Sequence, residues 1–357
     1  MVSTRTLDQT RMPEIGHAFV GGAGYLSACT TGLPPQVSRD ATIADALAAA
    51  AGRPDPMAYS AAAERSRAHF ARLVSTDADR VAIGSQTSVL AALVATALPD
   101  GAEVLCAEGD FSSIVLPFVH AGRGITVRTA PLTELADAIS AGTALVAFSA
   151  VQSSTGEVAP VDAIVRAAGD VDALTLCDAT QAVGWMPVDA SRFDALVCHA
   201  YKWLCAPRGV AFLTLSHRLQ RLARPVFAGW YAGEDPWSSC YGHDVELAAS
   251  ARRFDVSPAW QAFVGAEPAL ALFADADPRE LYEYTTGLAA SFRERCGIPQ
   301  PEHPSAIVTW QDHTGCDLAR LSAAGITASG RAGRARVAFH VFNDASDVAL
   351  AAAVLGF

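Results

Sequence analysis

Short, wholly apolar runs alternate with longer helical stretches from about residue 80 onward. Val81-Ala82-Ile83 reads as a strand that passes through Gly84-Ser85-Gln86-Thr87 into an apolar helix over 89–98. Further strands are expected at 103–106, 125–127, 144–148, 174–177, 195–198 and 210–213, with helices at 112–121 and 160–168. Strands that are apolar at every position must be covered on both faces, which predicts an α/β architecture with a largely parallel sheet. After residue 215 the rhythm changes. The stretch 227–242, rich in Gly, Trp and Tyr, reads as irregular, and helices follow at 259–274 and 277–296. Short strands at 306–309 and 336–339 and a helix at 346–355 then predict a second, smaller α/β unit.

Composition sharpens this picture. Of 357 residues 51% are hydrophobic and 18% charged, which excludes a disordered chain and allows a core without disulfides. The net charge of −11 argues against nucleic acid or an anionic membrane as partner. A polar N-terminus and the lack of any 18-residue apolar run point to a soluble, cytoplasmic protein. The eight cysteines form no CxxC or Cys/His spacing, so no metal site is expected. Cys106 and Cys177, inside apolar runs, read as small buried hydrophobes.

Lys202 is the one lysine in the chain; the other basic residues, apart from histidine, are arginines. Scarcity of lysine is compositional bias in a chain rich in Arg and Ala. Its survival at one position is informative, because guanidinium cannot supply the neutral amine that attacks a carbonyl. The plain alternative is a leftover surface lysine.

Ligands of open α/β sheets sit beyond the carboxyl ends of the strands, and four such ends carry candidate groups. Ser85, Gln86 and Thr87 open a helix, where free N–H groups and hydroxyls hold anions, although Ser and Thr are also ordinary N-caps. Asp178 ends the strand Leu176-Cys177 and needs a cation or donor there. Phe111 follows Glu108-Gly109-Asp110. Lys202 follows Cys198-His199-Ala200-Tyr201. An amine, a carboxylate, an anion site and an aromatic face on neighbouring strand ends suit pyridoxal 5′-phosphate (PLP).

The run Asp178-Ala179-Thr180-Gln181-Ala182-Val183-Gly184, followed 24 residues after Asp178 by Lys202 in His-Ala-Tyr-Lys-Trp-Leu-Cys-Ala-Pro-Arg-Gly, resembles the class V aminotransferase family. Three other stretches resemble it too: 25–35, 252–258 and 336–343. The resemblance implies a fold-type-I PLP-dependent transferase fold, with a large PLP-binding domain (35–245) and a small C-terminal domain (246–357) that the N-terminal segment (1–34) joins. It implies Lys202 as the Schiff-base lysine, Asp178 as partner of the pyridine nitrogen and Gln181 as donor to the ring hydroxyl. Phe111 would stack on the ring, and Ser85, Gln86, Thr87 and His199 would serve the phosphate. Arg331 or Arg336 would clamp the substrate carboxylate bidentately, whereas Arg334 reads as a surface ion-pair residue. Thr30, in the N-terminal segment, and Trp230, in the aromatic loop, would line the substrate side. A homodimer with shared active sites is also implied.

Departures narrow the chemistry. Desulfurases of this family carry a nucleophilic cysteine on a mobile loop, but Ser329-Gly330-Arg331-Ala332-Gly333-Arg334 is short and has none. Cys316 reads as a helix-start residue. Phe111 replaces the family's stacking histidine and cannot move protons. The expected reaction is therefore β-elimination of C–S lyase type on a cysteine-like or S-conjugated amino acid. Transamination and epimerisation begin with the same proton abstraction and stand as alternatives, and a non-catalytic relative of the fold as a further one.

Overall fold

A computed structural model describes residues 12–357. The larger sheet contains seven strands: β1 (Val81–Gly84), β2 (Glu103–Ala107), β3 (Thr126–Ala130), β4 (Thr143–Ser149), β5 (Leu174–Asp178), β6 (Ala195–His199) and β7 (Ala211–Leu215). Their order is β1-β7-β6-β5-β4-β2-β3. The four pairings from β6 to β3 are parallel, and β7 runs antiparallel to both β6 and β1. The expected α/β fold with a largely parallel sheet is therefore the observed one. Alternate residues explain the unbroken apolar runs. Leu105, Val146, Phe148, Cys177, Leu196 and Phe212 enter one core, while Val104, Leu145, Leu176, Val197 and Leu213 enter another on the opposite face.

Helices Gln36–Ala50, Pro56–Leu73 and Trp260–Asp275 pack together beside the large sheet. The first two were not anticipated from the sequence. Arg67, in the second of them, is buried and knots three segments together. Its guanidinium donates to the Val81 carbonyl and to Asp255, at 2.6 Å from Nη2 to Oδ2. Asp255 in turn accepts the Ile83 N–H at 2.8 Å. This buried pair fixes β1, whose carboxyl end opens helix Thr87–Ala95.

A smaller sheet holds β8 (Ile307–Gln311), β9 (Ser329–Arg331) and β10 (Arg334–Ala338), all antiparallel in the order β8-β10-β9. Helices Pro278–Arg295 and Ala345–Leu355 cover it around a third core. Each starts as its sequence dictates: Asp277 caps the first, with proline in its opening turn, and Asp344 and Asp347 form a capping box on the second. Residues 24–32 join the two sheets. The Leu26 N–H donates to Thr327, the Ala338 N–H donates to Leu26, and the Gly32 N–H donates to Tyr201. The stretch expected to be irregular contains two 3₁₀ turns, Trp230–Ala232 and Trp237–Ser239.

Candidate active site

Lys202 sits in a tight turn beyond β6. The turn is held by Cys205 N–H to the Lys202 carbonyl at 3.1 Å and by Ala200 N–H to Val210 at 3.0 Å. Gly32 packs so closely that a Cβ there would collide with the Lys202 carbonyl oxygen. The lysine side chain is 6% exposed, and its Nζ lies 5.3 Å from the Phe111 ring centroid. Among the described residues no carboxylate lies within 4.0 Å of that nitrogen. Burial, only partly opposed by Asp178, lowers the ammonium from 10.5 to about 8, and Arg336 and Arg331 push the same way.

Asp178 ends β5 on the adjacent strand and is buried. One of its oxygens accepts the Thr180 N–H at 2.8 Å. Desolvation raises its pKa, while the Thr180 bonds and the Lys202 charge hold it down. Gln181 follows. Its amide nitrogen donates to the Cys29 carbonyl at 2.9 Å and its oxygen accepts from Trp203 at 2.8 Å. A primary amide has two N–H donors, so one remains for the cleft that Gln181 lines.

Gln86, Thr87, Phe111, Asp178, Gln181, His199 and Lys202 converge on one cleft at the carboxyl ends of the strands. Ser85 does not line it. Gln86 and Thr87 begin helix Thr87–Ala95, whose first N–H groups carry no side-chain cap. The His199 ring stands edge-on to Tyr201 at 4.4 Å. Its Nε2 is buried without a hydrogen-bond partner among the described residues, and burial and the nearby Arg208 and Lys202 charges lower its pKa to about 4.

Sequence reasoning missed several lining groups: Ser113, Ser149, Ser153, Thr180, Tyr201 and Arg208. It also missed the role of Asp110, which accepts the Ser149 N–H at 2.7 Å, the Ser149 hydroxyl at 2.5 Å and the Phe111 N–H at 2.7 Å. Asp110 thereby fixes the backbone beneath Phe111. Its signal was its place at a strand end, one residue before the aromatic.

Arg336, on β10, is 1% exposed, and its partners among the described residues are all neutral. It donates from Nη2 to Thr30 at 2.9 Å, from Nε to Ser329 at 3.1 Å, and from Nη1 to the carbonyl of Ser153, a lining residue. Each terminal nitrogen keeps one further N–H. A desolvated guanidinium with free N–H donors suits a carboxylate. Arg331 is exposed and donates to its own neighbour, the Gly330 carbonyl. Arg334 bonds Thr309 rather than an acid. Trp230 stands apart in this chain, in a separate aromatic cleft with Trp237, Tyr241 and Trp260.

Residues 25–297 match the family model described as Aminotransferase class-V. The chain belongs to the class V aminotransferase family, a family of PLP-dependent enzymes. A probable cysteine desulfurase of Aeropyrum pernix is 34% identical over 190 residues, covering 48% of this chain and 46% of that protein. A kynureninase of Deinococcus radiodurans is 28% identical over 257 residues, 69% of this chain and 62% of that one. An isopenicillin N epimerase of Streptomyces clavuligerus is 32% identical over 193 residues, 49% and 48% of the two chains. The chain thus spans about half, and at most 62%, of the length of these three relatives. Among solved structures, a complex of the cystine C–S lyase C-DES with its reaction product cysteine persulfide superposes with a TM-score of 0.82 at 20% identity, covering 94% of this chain and 98% of that one. The cysteine desulfurase CsdA from Escherichia coli superposes with 0.81 at 18% identity, covering 99% and 98%. These likenesses establish the fold-type-I PLP fold.

The groups in the cleft fit PLP. Among the described residues, a buried amine lacks a close counter-ion, a buried imidazole nitrogen lacks a partner, and a helix start without a side-chain cap lines the same space.

Proposed function

We propose that this chain is a PLP-dependent C–S lyase that eliminates a sulfur group from the β-carbon of a cysteine-like or S-conjugated amino acid. The observation that carries the reading is Lys202: the sole lysine, buried, with its ammonium lowered to about 8. Relative to an ordinary lysine, that shift raises the neutral fraction at pH 7 by about 300-fold. Bound PLP would supply an electron sink for the pair of electrons left at the α-carbon. Asp178 would keep the ring nitrogen protonated, Phe111 would cover one ring face, and Gln181 would donate its free N–H to the ring hydroxyl. Thr87, Gln86 and His199 would hold the phosphate. Arg336 would take the substrate carboxylate in its two remaining N–H donors, beside Thr30, and Lys202 would remove the α-proton.

Two features support elimination without sulfur storage on the enzyme. The β9–β10 connection is a two-residue turn, with Ala332 at φ 48° and Gly333 at φ 74°, and contains no cysteine. Burial raises the Cys106 thiol to about 12 and pushes those of Cys177 and Cys198 well above the ordinary thiol range, which makes them inert. The names of the relatives include desulfurases and a cystine C–S lyase, so cysteine sulfur is a supported substrate class. The epimerase relative favours proton return at the α-carbon as the second reading.

We further propose a homodimer, supported by Val37, Ile43, Leu47 and Met57 exposed on adjoining helices. Eight unpaired cysteines support a reducing, cytoplasmic setting.

The test is a panel of S-conjugated amino acids without an amino acceptor. Elimination gives keto acid and ammonia in equal amounts, with release of the sulfur fragment. Keto acid only when an acceptor is added identifies transamination. Exchange of the α-hydrogen for solvent deuterium, without keto acid, identifies epimerisation.

A further inference from the structure

The phosphate end of the cleft holds a cation that the proposed function leaves unused. Arg208 lines the cleft together with Gln86, Thr87, His199 and Tyr201. Its guanidinium carbon lies 5.0 Å over the Tyr201 ring. Among the described residues it has no carboxylate within 4.0 Å and makes no hydrogen bond, whereas Arg67, Arg123, Arg128 and Arg336 are all engaged by protein acceptors. The backbone beneath it is constrained, since Pro207 precedes it and Gly209 follows at φ 105°.

His199 gives an independent observation. The residue is 7% exposed, yet its Nε2 meets no acceptor or donor among the described residues. Buried polar atoms in native proteins have partners, so this nitrogen is aimed at something the cleft receives. Burial, and after it the Arg208 and Lys202 charges, hold the His199 imidazolium down.

We propose that Arg208, stacked on Tyr201 and working beside His199, is a phosphate-selectivity residue that clamps the phosphate monoester of the cofactor together with the N-terminus of helix Thr87–Ala95. The proposal rests on PLP being the occupant of this cleft. Three phosphate oxygens offer more acceptor sites than one helix start can fill, and a planar guanidinium adds a second, bidentate set of donors. The aromatic face holds the fork in place before the ligand arrives.

The test compares PLP with pyridoxal, which lacks the phosphate, as ligands of the apo-protein, with dissociation constants read from quenching of tryptophan fluorescence. In the parent, PLP binds more tightly than pyridoxal. Arg208→Gln is expected to shrink that preference about tenfold or more while changing pyridoxal affinity less than about twofold. Inorganic phosphate should compete against PLP less well in the variant, and Arg208→Lys should recover part of the loss. Arg208 is exposed, and unchanged unfolding midpoints would show that the fold is intact. An Arg208→Gln protein that keeps the full preference overturns the proposal and leaves the PLP reading standing. A parent that binds neither compound overturns both.

Discussion

Lys202 sits where a charged amine is costly, and Lys202→Met should therefore stabilise the apo-protein. Burial lowers the ammonium from 10.5 to about 8, and each pKa unit corresponds to about 1.4 kcal/mol. The folded chain accordingly carries a penalty of about 3 kcal/mol at neutral pH. Because the folded value lies below the unfolded one, the native state binds fewer protons than the unfolded state between pH 8 and 10.5. Parent stability rises with pH through that window; the penalty is complete below it and absent above it. Methionine fills the same channel without charge. At pH 7 the variant should gain about 3 kcal/mol, or roughly 4 °C in midpoint for a chain of this size, and most of the advantage should vanish by pH 10. Urea unfolding of both apo-proteins at the two pH values checks this. A variant no more stable than the parent at pH 7, or an advantage that does not shrink with pH, refutes the reasoning.

Asp178→Asn should reduce turnover by far more than cofactor affinity, because an amide cannot keep a ring nitrogen protonated; rates and PLP titration measure the two separately. Arg336→Gln should raise KM for amino-acid substrates by about tenfold or more, while Arg331→Gln stays within a few-fold. Cys316→Ser should leave turnover within a few-fold, and mass spectrometry after incubation with cysteine should find no sulfur adduct on any of the eight thiols. Asp255→Ala should cost about 3–5 kcal/mol in urea unfolding, because it strands the buried Arg67 charge.

The strand ends were legible because each is a one-dimensional event: an apolar run stops and a polar group begins. Asp178, His199 and Lys202 announced themselves in that way. The antiparallel direction of β7 did not, since a strand buried on both faces reads alike in either orientation. Helix Gln36–Ala50 escaped because its apolar positions do not form one inward stripe; Ser38 is its one buried residue, while Val37, Ile43 and Leu47 face outward. The remaining omissions are long-range. Ser149 meets Asp110 because β4 lies beside β2, Arg336 meets Ser153 across 183 positions, and Arg67 meets Asp255 across 188. No local pattern encodes such meetings.

The strap formed by residues 24–32 has a consequence for the order of events during synthesis. The Gly24 N–H donates to the carboxylate of Asp347, 323 residues later, and Leu26 is pinned by Thr327 and Ala338. The same strap presses Gly32 against the lysine turn and offers the Cys29 carbonyl to Gln181. A nascent chain halted near residue 300 already has all seven strands of the large sheet and the cleft residues from Gln86 to Arg208. It still lacks β8 to β10, Arg336 and the anchors of the strap. Contacts that close so large a loop form late. The Arg336 contacts to Thr30, Ser153 and Ser329 are thus completed only when the ribosome has released residues 327–347, well after the strand ends that carry Asp178 and Lys202.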